Sequence, residues 1–363
     1  MALASSLLKH YAIARLSTMI SDSGSDKSVG DSGHGQGGIP WDRTIITRDS
    51  LTKPVFVDPR TGRQPVSFNV SHQAGIVALV AVAGYEAPPN PVDANAPPST
   101  PARGQRRQKV PVEVGVDVVC VSERRERDLA MLWDESEGWE GFVDMHADVF
   151  SPSEVAYLKG SSPPAPRPPP GPASAARRSR SRSSRGSEQY YQQSPEQQRY
   201  VRELSPEKQR HYLQHLEDLR RRAEEEEDEI EEGMADGKLR MFYALWALRE
   251  AYVKLTGEAL LAEWLSELEF RDFRAPKPTA AWEVPACEER GEVVRDIEIY
   301  FRGQRVDDVN MCIRSMGPDY MIATAVRTPG RKEDGLAWQL GPYEILSLED
   351  VLDFAAKSRL GGR

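Results

Sequence analysis

Residues 161–187 divide the chain into two parts that must fold around them. This stretch, SSPPAPRPPPGPASAARRSRSRSSRGS, contains seven Pro, six Arg, no acid and no apolar side chain larger than Ala. Such a composition cannot bury enough apolar surface to offset the entropy lost on ordering the chain. Residues 21–38 and 86–109 are rich in small and turn-forming residues and are expected to be flexible loops. Fewer than 300 of the 363 residues therefore remain for compact domains.

Composition and charge exclude several classes of protein. The longest apolar run, Gly75–Gly84, is too short for a membrane span of about 20 residues, and no basic segment of a secretory signal precedes the first apolar residues. Three widely spaced cysteines, Cys120, Cys287 and Cys312, argue against a disulfide scaffold or a zinc site. A net charge of −9 gives no general nucleic-acid footprint. We expect a soluble, cytoplasmic protein without a membrane or nucleic-acid partner.

Hydrophobic periodicity predicts alternating helices and strands. Residues 112–119 alternate most clearly, with valines on one face and Asp117 on the other. The remaining predicted elements are helices at 2–16, 123–133 and 347–357 and strands at 66–70, 75–82, 296–301 and 320–326, with a polar turn at Ser71–Ala74.

The strongest helical pattern runs from Lys238 to Thr256. Asp236 is positioned to cap its start, and Gly257 is positioned to end it. The preceding residues 196–232 are highly charged with weak apolar periodicity, which predicts a solvated, partly helical linker.

Four short segments contain residue types that could carry chemistry. They are Lys53-Pro54 with FNVSHQAG (68–75), VGVD (114–117), FSPSE (150–154) and WALREAYVK (246–254). Each has an ordinary structural interpretation when taken alone. Glu250 and Lys254 share one helix face and could form a surface ion pair, and Ser151 with Glu154 matches a capping box.

Taken in this order, the segments resemble the Sfp-type 4′-phosphopantetheinyl transferases, and most closely the fungal members. The family pattern is NxSH, then G-[IV]-D, then F-[ST]-x-x-E, then W-x-x-[KR]-E-x-x-x-K, and all of its fixed positions are present here. The resemblance covers about 2–85, 110–160 and 238–330.

The resemblance implies an α/β (α+β) fold with a pseudo-twofold pair of subdomains, each a small sheet packed on a long helix. Residues 1–111 would form the first subdomain, and 112–160 with 238–358 the second, with 161–237 a disordered or charged insertion. Coenzyme A would bind between the subdomains. The two fused subdomains would make a monomer sufficient.

The implied reaction transfers the phosphopantetheine arm of coenzyme A to a carrier-protein serine and releases 3′,5′-ADP. The family implies carrier domains of polyketide synthases, nonribosomal peptide synthetases and aminoadipate reductase as acceptors. Asp117 and Glu250 would hold Mg²⁺, and Glu250 or a metal-linked water would accept the serine proton. Lys254 would stabilise charge on the leaving group.

The resemblance also assigns residues to coenzyme A. Ser71 and His72 would contact its 3′-phosphate and diphosphate, and Lys53 would hold its nucleotide end. Glu154 would be an additional site carboxylate that orients its neighbours by hydrogen bonds. Many bacterial members have a third acidic ligand two residues after the strand aspartate, where this chain has Val119.

Three alternatives stay open at this level. The chain could be a catalytically weak or inactive paralogue that binds coenzyme A or a carrier protein. It could act mainly on RNA through RRSRSRSSRGS (177–187), because arginines contact phosphates in a salt-dependent way. A metal-dependent phosphodiesterase could also use two carboxylates and a lysine.

Two further expectations concern the start of the chain and its partner surface. The helix at 2–16 begins abruptly and the resembling family carries further residues ahead of it, so we expect the first subdomain to be N-terminally truncated. A basic docking surface for the acidic carrier helix could include Arg271, Arg274 and Lys277.

Overall fold

A computed structural model describes residues 2–23, 38–85, 112–134, 136–160, 205–258, 262–279, 291–341 and 343–360. The helices are α1 (Ala2–Ser23), α2 (Arg125–Leu132), α3 (Gly138–Asp144), α4 (Pro152–Gly160), α5 (Pro206–Thr256), α6 (Lys332–Leu336) and α7 (Leu348–Leu360). The strands are β1 (Ile46–Arg48), β2 (Pro54–Phe56), β3 (Val66–Gln73), β4 (Ile76–Ala83), β5 (Glu113–Cys120), β6 (Leu268–Arg271), β7 (Val293–Val294), β8 (Glu298–Phe301), β9 (Gln304–Arg305), β10 (Asn310–Met316) and β11 (Tyr320–Arg327). This mixture of helix and sheet confirms the predicted α/β class.

The chain separates into two compact units. One unit combines Met1–Gly160 with Leu239–Arg363, and the other is Ser161–Lys238. The predicted loops at 21–38 and 86–109 lie almost entirely outside the described residues, as does the Pro- and Arg-rich segment 161–187.

The predicted polar turn after β3 is shorter than the sequence suggested. Strand β3 runs through Gln73, which pairs with Ile76 of the antiparallel strand β4. The turn consists of Ala74 and Gly75, whose φ angles are 44° and 91°. Two central residues with positive φ suit a tight hairpin turn that follows the twist of the strands. Ser71 is therefore a strand residue rather than a turn residue.

Helix α1 covers one face of the β3–β4 hairpin. Ile13 of α1 is fully buried together with Phe56, Val66 and Phe68. Because Val66 and Phe68 are two residues apart on a strand, they point to the same face. The opposite face of β3 carries the polar residues that reach the candidate site.

Strand β5 lies at one end of a four-stranded antiparallel sheet with the order β5-β11-β10-β7. Its valine face is buried, as predicted: Val116 and Val118 pack with Ala78 of β4 and Ile322 of β11. Asp117, on the other face, is paired in register with Ala323.

Helix α5 is longer than predicted. It begins at Pro206, so Asp236 lies inside the helix and does not cap its start. The charged residues favour this continuation through ion pairs one turn apart, such as Arg220 Nε to Glu224 Oε1 at 2.8 Å. The C-terminal end agrees with the prediction, because Gly257 follows Thr256 with φ +84°. Among the described helices, none has both the length and the apolar character to cross a membrane.

Candidate active site

Side chains from three separate elements meet at Asp117 of β5. Lys254 Nζ, from α5, lies 2.6 Å from Asp117 Oδ1. Ser71, from β3, donates a hydrogen bond of 2.8 Å from Oγ to the same oxygen and accepts one of 2.9 Å from Lys254 Nζ. Burial raises the pKa of Asp117, while the Lys254 charge and these hydrogen bonds oppose the rise. The three residues form a partly buried polar cluster, with Lys254 as its most exposed member.

Glu250 joins this cluster electrostatically. It lies one turn before Lys254 on α5, so the two side chains share a helix face, as predicted. Its pKa is raised, mainly by burial and further by the negative charge of Asp117, while Lys254 opposes the rise. Lys254 pairs with Asp117, so the interpretation of Glu250 and Lys254 as a simple surface pair is incomplete. The single Lys254 ammonium therefore opposes the rise in pKa of both carboxyl groups.

Gly115, two residues before Asp117, lies where β5 packs closely against the backbone of α5. A Cβ placed on Gly115 would lie 2.0 Å from the carbonyl oxygen of Ala251 and 2.6 Å from the backbone nitrogen of Leu255. The strand and helix backbones therefore approach more closely than any side chain allows. Gly115 and Asp117 point to the same strand face. This contact sets the spacing between Asp117 and the helix that carries Lys254.

Backbone N–H groups at the edge of β5 form hydrogen bonds with side chains of β3 rather than with its backbone. The Asn69 side-chain oxygen accepts a 3.0 Å hydrogen bond from Val116 N, and the Gln73 side-chain oxygen accepts one of 3.2 Å from Cys120 N. Ser71 lies between them on the same face of β3. Edge amides buried without a partner would be costly. The sequence pattern did not single out Asn69 and Gln73, although their spacing of two on either side of Ser71 places all three on one strand face.

Lys53, predicted to contact the nucleotide, links the two elements that carry the cluster. Its Nζ donates to the carbonyl oxygen of Val114 at 3.0 Å and to that of Leu255 at 3.4 Å. Leu255 lies in the last turn of α5, where a cation also complements the helix dipole. Burial lowers the pKa of Lys53, and Glu113 and Asp49 partly oppose this. An ammonium has three N–H groups, so the contacts to described residues leave one that could meet a ligand.

His72, the other predicted coenzyme A contact on β3, is not brought into the cluster. Adjacent strand residues point to opposite faces, and Ser71 occupies the face toward Asp117. The side chain of His72 is exposed. It lies on the same strand face as Val66 and Phe68 and so points away from Asp117.

Glu154, predicted as an additional site carboxylate, has a separate set of contacts. It completes the predicted capping box: Ser151 N donates to its Oε2 at 2.8 Å, and its own amide donates to Ser151 Oγ at 3.3 Å. Its Oε1 also accepts a 2.8 Å hydrogen bond from Phe270 N. Burial raises the pKa of Glu154, and Arg249 opposes the rise. The carboxylate is 2% exposed and pairs with Arg249.

Arg249 immediately precedes Glu250 and is fully buried. Its guanidinium donates to Glu154, to the carbonyl oxygen of Leu265 and to that of Leu268, the last at 3.0 Å. Aromatic rings lie on two sides: the guanidinium carbon is 5.5 Å from the ring centre of Phe150 and 5.6 Å from that of Phe270. Sequence analysis gave no separate role to this residue.

The cluster offers two carboxylates to a metal ion rather than three. Val119, two residues after Asp117, is buried and has no ligand atom. In the part of the chain that the structure describes, no group of three or more His, Cys, Asp or Glu side chains could hold a metal. Mg²⁺ is commonly held by one or two carboxylates together with phosphate oxygens and water. Asp117 and Glu250 therefore fit a magnesium ion that arrives with a phosphate ligand.

The candidate docking residues are largely neutralised by neighbouring acids. Arg271 Nη2 lies 2.8 Å from Glu269 Oε2 and its guanidinium stacks 4.0 Å from the ring centre of Tyr300. Arg274 Nη1 lies 2.5 Å from Glu292 Oε1. The docking role of Arg271, Arg274 and Lys277 stays a prediction.

The chain is similar to known 4′-phosphopantetheinyl transferases. The profile of the 4′-phosphopantetheinyl transferase superfamily matches residues 191–293, which include Glu250 and Lys254. A 4′-phosphopantetheinyl transferase 1 from Fusarium mangiferae is 32% identical over 358 residues, covering 99% of this chain and 79% of that protein.

Two further fungal proteins show similar relationships. A 4′-phosphopantetheinyl transferase from Aureobasidium melanogenum is 31% identical over 322 residues, covering 88% of this chain and 79% of that protein. A 4′-phosphopantetheinyl transferase A from Aspergillus fumigatus is 31% identical over 310 residues, covering 80% of this chain and 67% of that protein.

Proposed function

The chain belongs to the 4′-phosphopantetheinyl transferases, and we propose that it uses the cluster of Asp117, Glu250 and Lys254 to transfer phosphopantetheine from coenzyme A to a carrier-protein serine. The observation that carries this assignment is the convergence of Lys254 with Asp117, 2.6 Å apart and beside Glu250. Phosphoryl transfer depends mainly on positioning and on neutralising charge, and these residues can supply both.

The cluster provides both a proton acceptor for the serine and a hydrogen-bond donor for the leaving group. The serine oxygen attacks the phosphorus that bears the pantetheine arm, a new P–O bond forms, and the bond to the bridging oxygen breaks. The electron pair leaves with 3′,5′-ADP. Glu250 takes the serine proton, for which a carboxylate with a raised pKa is suited. Lys254 offers N–H donors to the departing phosphate and thereby stabilises its charge.

Asp117 and Glu250 would hold Mg²⁺ together with oxygens of the pyrophosphate. When bound, the ion would neutralise charge on the two phosphates. Asp117 is held in place for this task by Ser71 and Lys254. Lys254, which contacts Asp117 through Nζ, would donate N–H groups to the phosphate beside that carboxylate.

Coenzyme A would be held by residues around the same cluster. Ser71 presents its hydroxyl beside Lys254, and Lys53 has one N–H group beyond its two backbone contacts. His72, exposed on the other face of β3, would reach only a phosphate that extends around the strand. The positions of Ser71 and Lys53 support their assignments, while that of His72 rests on the family resemblance alone.

The finer architecture and partners are part of the same proposal. The subdomains would be related by a pseudo-twofold axis, and the protein would act as a cytoplasmic monomer. Its acceptors would be carrier domains of polyketide synthases, nonribosomal peptide synthetases and aminoadipate reductase. The relatives named above share the transferase activity in their names, which supports the reaction rather than any one of these acceptors.

The proposal is tested by mass spectrometry with the full chain, coenzyme A, Mg²⁺ and each type of carrier domain. We expect a phosphopantetheine mass increase on the carrier, with equimolar 3′,5′-ADP. D117N and E250Q should each lower turnover by on the order of 10²–10³-fold, and the double variant should be little worse, because both residues act at one site. E349Q, an exposed carboxylate on α7, is the matched control. Release of 3′,5′-ADP at the same rate without a carrier would instead indicate a phosphodiesterase.

A further inference from the structure

Glu154 makes more contacts than helix capping requires, because it also pairs with the buried Arg249. Capping boxes at protein surfaces satisfy backbone amides and need no buried cation. Here the capping carboxylate also bonds Phe270 N and a guanidinium that is fully buried. Burying two charges is expensive and gives little stability relative to apolar residues of the same size. The pair therefore calls for a role other than stability.

The contacts of Arg249 determine how α5 can rotate about its own axis. The guanidinium is held by Glu154 of α4 and by two carbonyls, those of Leu265 and Leu268. Gly115 holds the helix elsewhere on its circumference, through close approach to Ala251 and Leu255. With both contacts made, the helix can neither roll nor slide without breaking one of them.

Glu250 is the next residue after Arg249, so its direction follows from the same constraint. A helix with side chains has a radius of about 5–6 Å, so a roll of about 20° would move the tip of a side chain by about 2 Å. Misplacement of a reacting group by about 1 Å can lower a rate by on the order of 100-fold. A small roll would thus move Glu250 away from Asp117 without unfolding the protein.

We propose that Glu154 and Arg249 are positioning residues that fix the rotation of α5 and thereby aim Glu250 and Lys254 at Asp117. This inference rests on the proposed function, and it assigns Glu154 an indirect role instead of contact with the substrate. The buried ion pair would then link the F-S-x-x-E segment to the W-x-x-[KR]-E segment, and the two segments would act together to position Glu250.

The decisive experiment separates positioning from stability with the variants R249M and E154M/R249M. R249M leaves the Glu154 carboxylate buried without its cation, so both melting temperature and turnover should fall. The double variant replaces the pair with apolar side chains, so the melting temperature should recover. Its turnover should stay at least about tenfold below wild type, and more Mg²⁺ should be needed for half-maximal rate. The dissociation constant of coenzyme A, measured by calorimetry without Mg²⁺, should change less than about twofold.

An exposed ion pair close to the contacts of Arg249 provides the control. E267M/R302M removes an exposed pair, 2.6 Å between Arg302 Nε and Glu267 Oε2, in which Glu267 lies between the Arg249 contacts Leu265 and Leu268, and it should leave turnover unchanged. If E154M/R249M recovers turnover together with melting temperature, the pair is only structural and the inference is wrong. If wild type itself transfers nothing, the proposed function fails instead.

A second variant decides the question should E154M/R249M fail to fold. E154D keeps both charges but shortens the carboxylate arm by one methylene, which displaces Arg249 without removing its partner. We expect a folded protein with turnover lowered at least about tenfold and unchanged affinity for coenzyme A. R249K, which keeps the charge, should retain more turnover than R249M. Wild-type turnover in E154D would overturn the inference.

Discussion

Lys254 of α5 and Asp117 of β5 are 137 positions apart in sequence, yet Nζ and Oδ1 lie 2.6 Å apart in the fold. This pair joins the helix and the strand whose residues would carry the reaction. The ammonium also opposes the rise that burial causes in the pKa of Asp117, a residue that is only 6% exposed.

Replacing Lys254 by Met should lower turnover much more than it weakens coenzyme A binding. Its contact is expected to strengthen as charge develops on the leaving group, so the loss in kcat should be on the order of 10²-fold or more. S71A removes only a hydroxyl from the same cluster and should have a smaller effect on kcat. Steady-state kinetics and calorimetry measure the two quantities separately. Equal losses in kcat and in affinity would assign Lys254 to ground-state binding.

Replacing Gly115 by Ala should destabilise the protein by about 1–3 kcal/mol, because the new methyl group forces the strand and the helix apart. Turnover should also fall, since Asp117 would move away from Lys254. Urea unfolding and kinetics measure both effects. Gly160, at the end of α4, has no atom within 4 Å of an added Cβ, so G160A is the control and should stay close to wild type.

Lys53 should affect both stability and binding. K53M leaves the carbonyls of Val114 and Leu255 without their donor, which should cost about 1–3 kcal/mol. If the third N–H meets the nucleotide, the dissociation constant of coenzyme A should rise about tenfold or more. Calorimetry with coenzyme A and with its form lacking the 3′-phosphate identifies the phosphate involved. An unchanged dissociation constant in K53M would restrict Lys53 to the structural link.

Cys312 should resist alkylation in the folded protein. Its side chain is fully buried, and burial raises the pKa of the thiol to about 11. The thiolate is the reactive form, so iodoacetamide at pH 8 should label Cys312 only after unfolding. A raised thiol pKa also disfavours the folded state above pH 9, the ordinary value, until the folded thiol itself ionises near 11. The unfolding free energy of wild type should therefore fall more steeply than that of C312A over this range.

Replacing residues 161–232 with a short Gly/Ser linker should preserve folding and transfer. The compact unit formed by Met1–Gly160 and Leu239–Arg363 excludes this segment. Residues 206–232 are the N-terminal part of α5, so the linker replaces that part of the helix together with the connection before it. Shortening the connection itself changes its closure entropy by only about 0.6 kcal/mol per halving of length. Melting temperature and turnover are the measurements. Loss of soluble protein on this replacement would show that the segment is needed for folding.

Local features of this protein could be predicted from sequence because they depend on neighbouring residues. The capping box of Ser151 and Glu154, the buried valine face of β5 and the end of α5 at Gly257 were all predictable in this way. The start of α5 was not, because charged side chains that read as a linker also pair one turn apart and support a helix.

The site itself depends on contacts between distant segments. Sequence placed Glu250 and Lys254 on one helix face, but only the fold shows that Lys254 pairs with Asp117 and that Arg249 is buried against Glu154. Periodicity reports which face of an element is buried, and it contains no information about which element lies opposite. That choice depends on the packing of whole elements, here on the absence of a Cβ at Gly115, which lets the backbones of β5 and α5 approach closely enough for their side chains to meet.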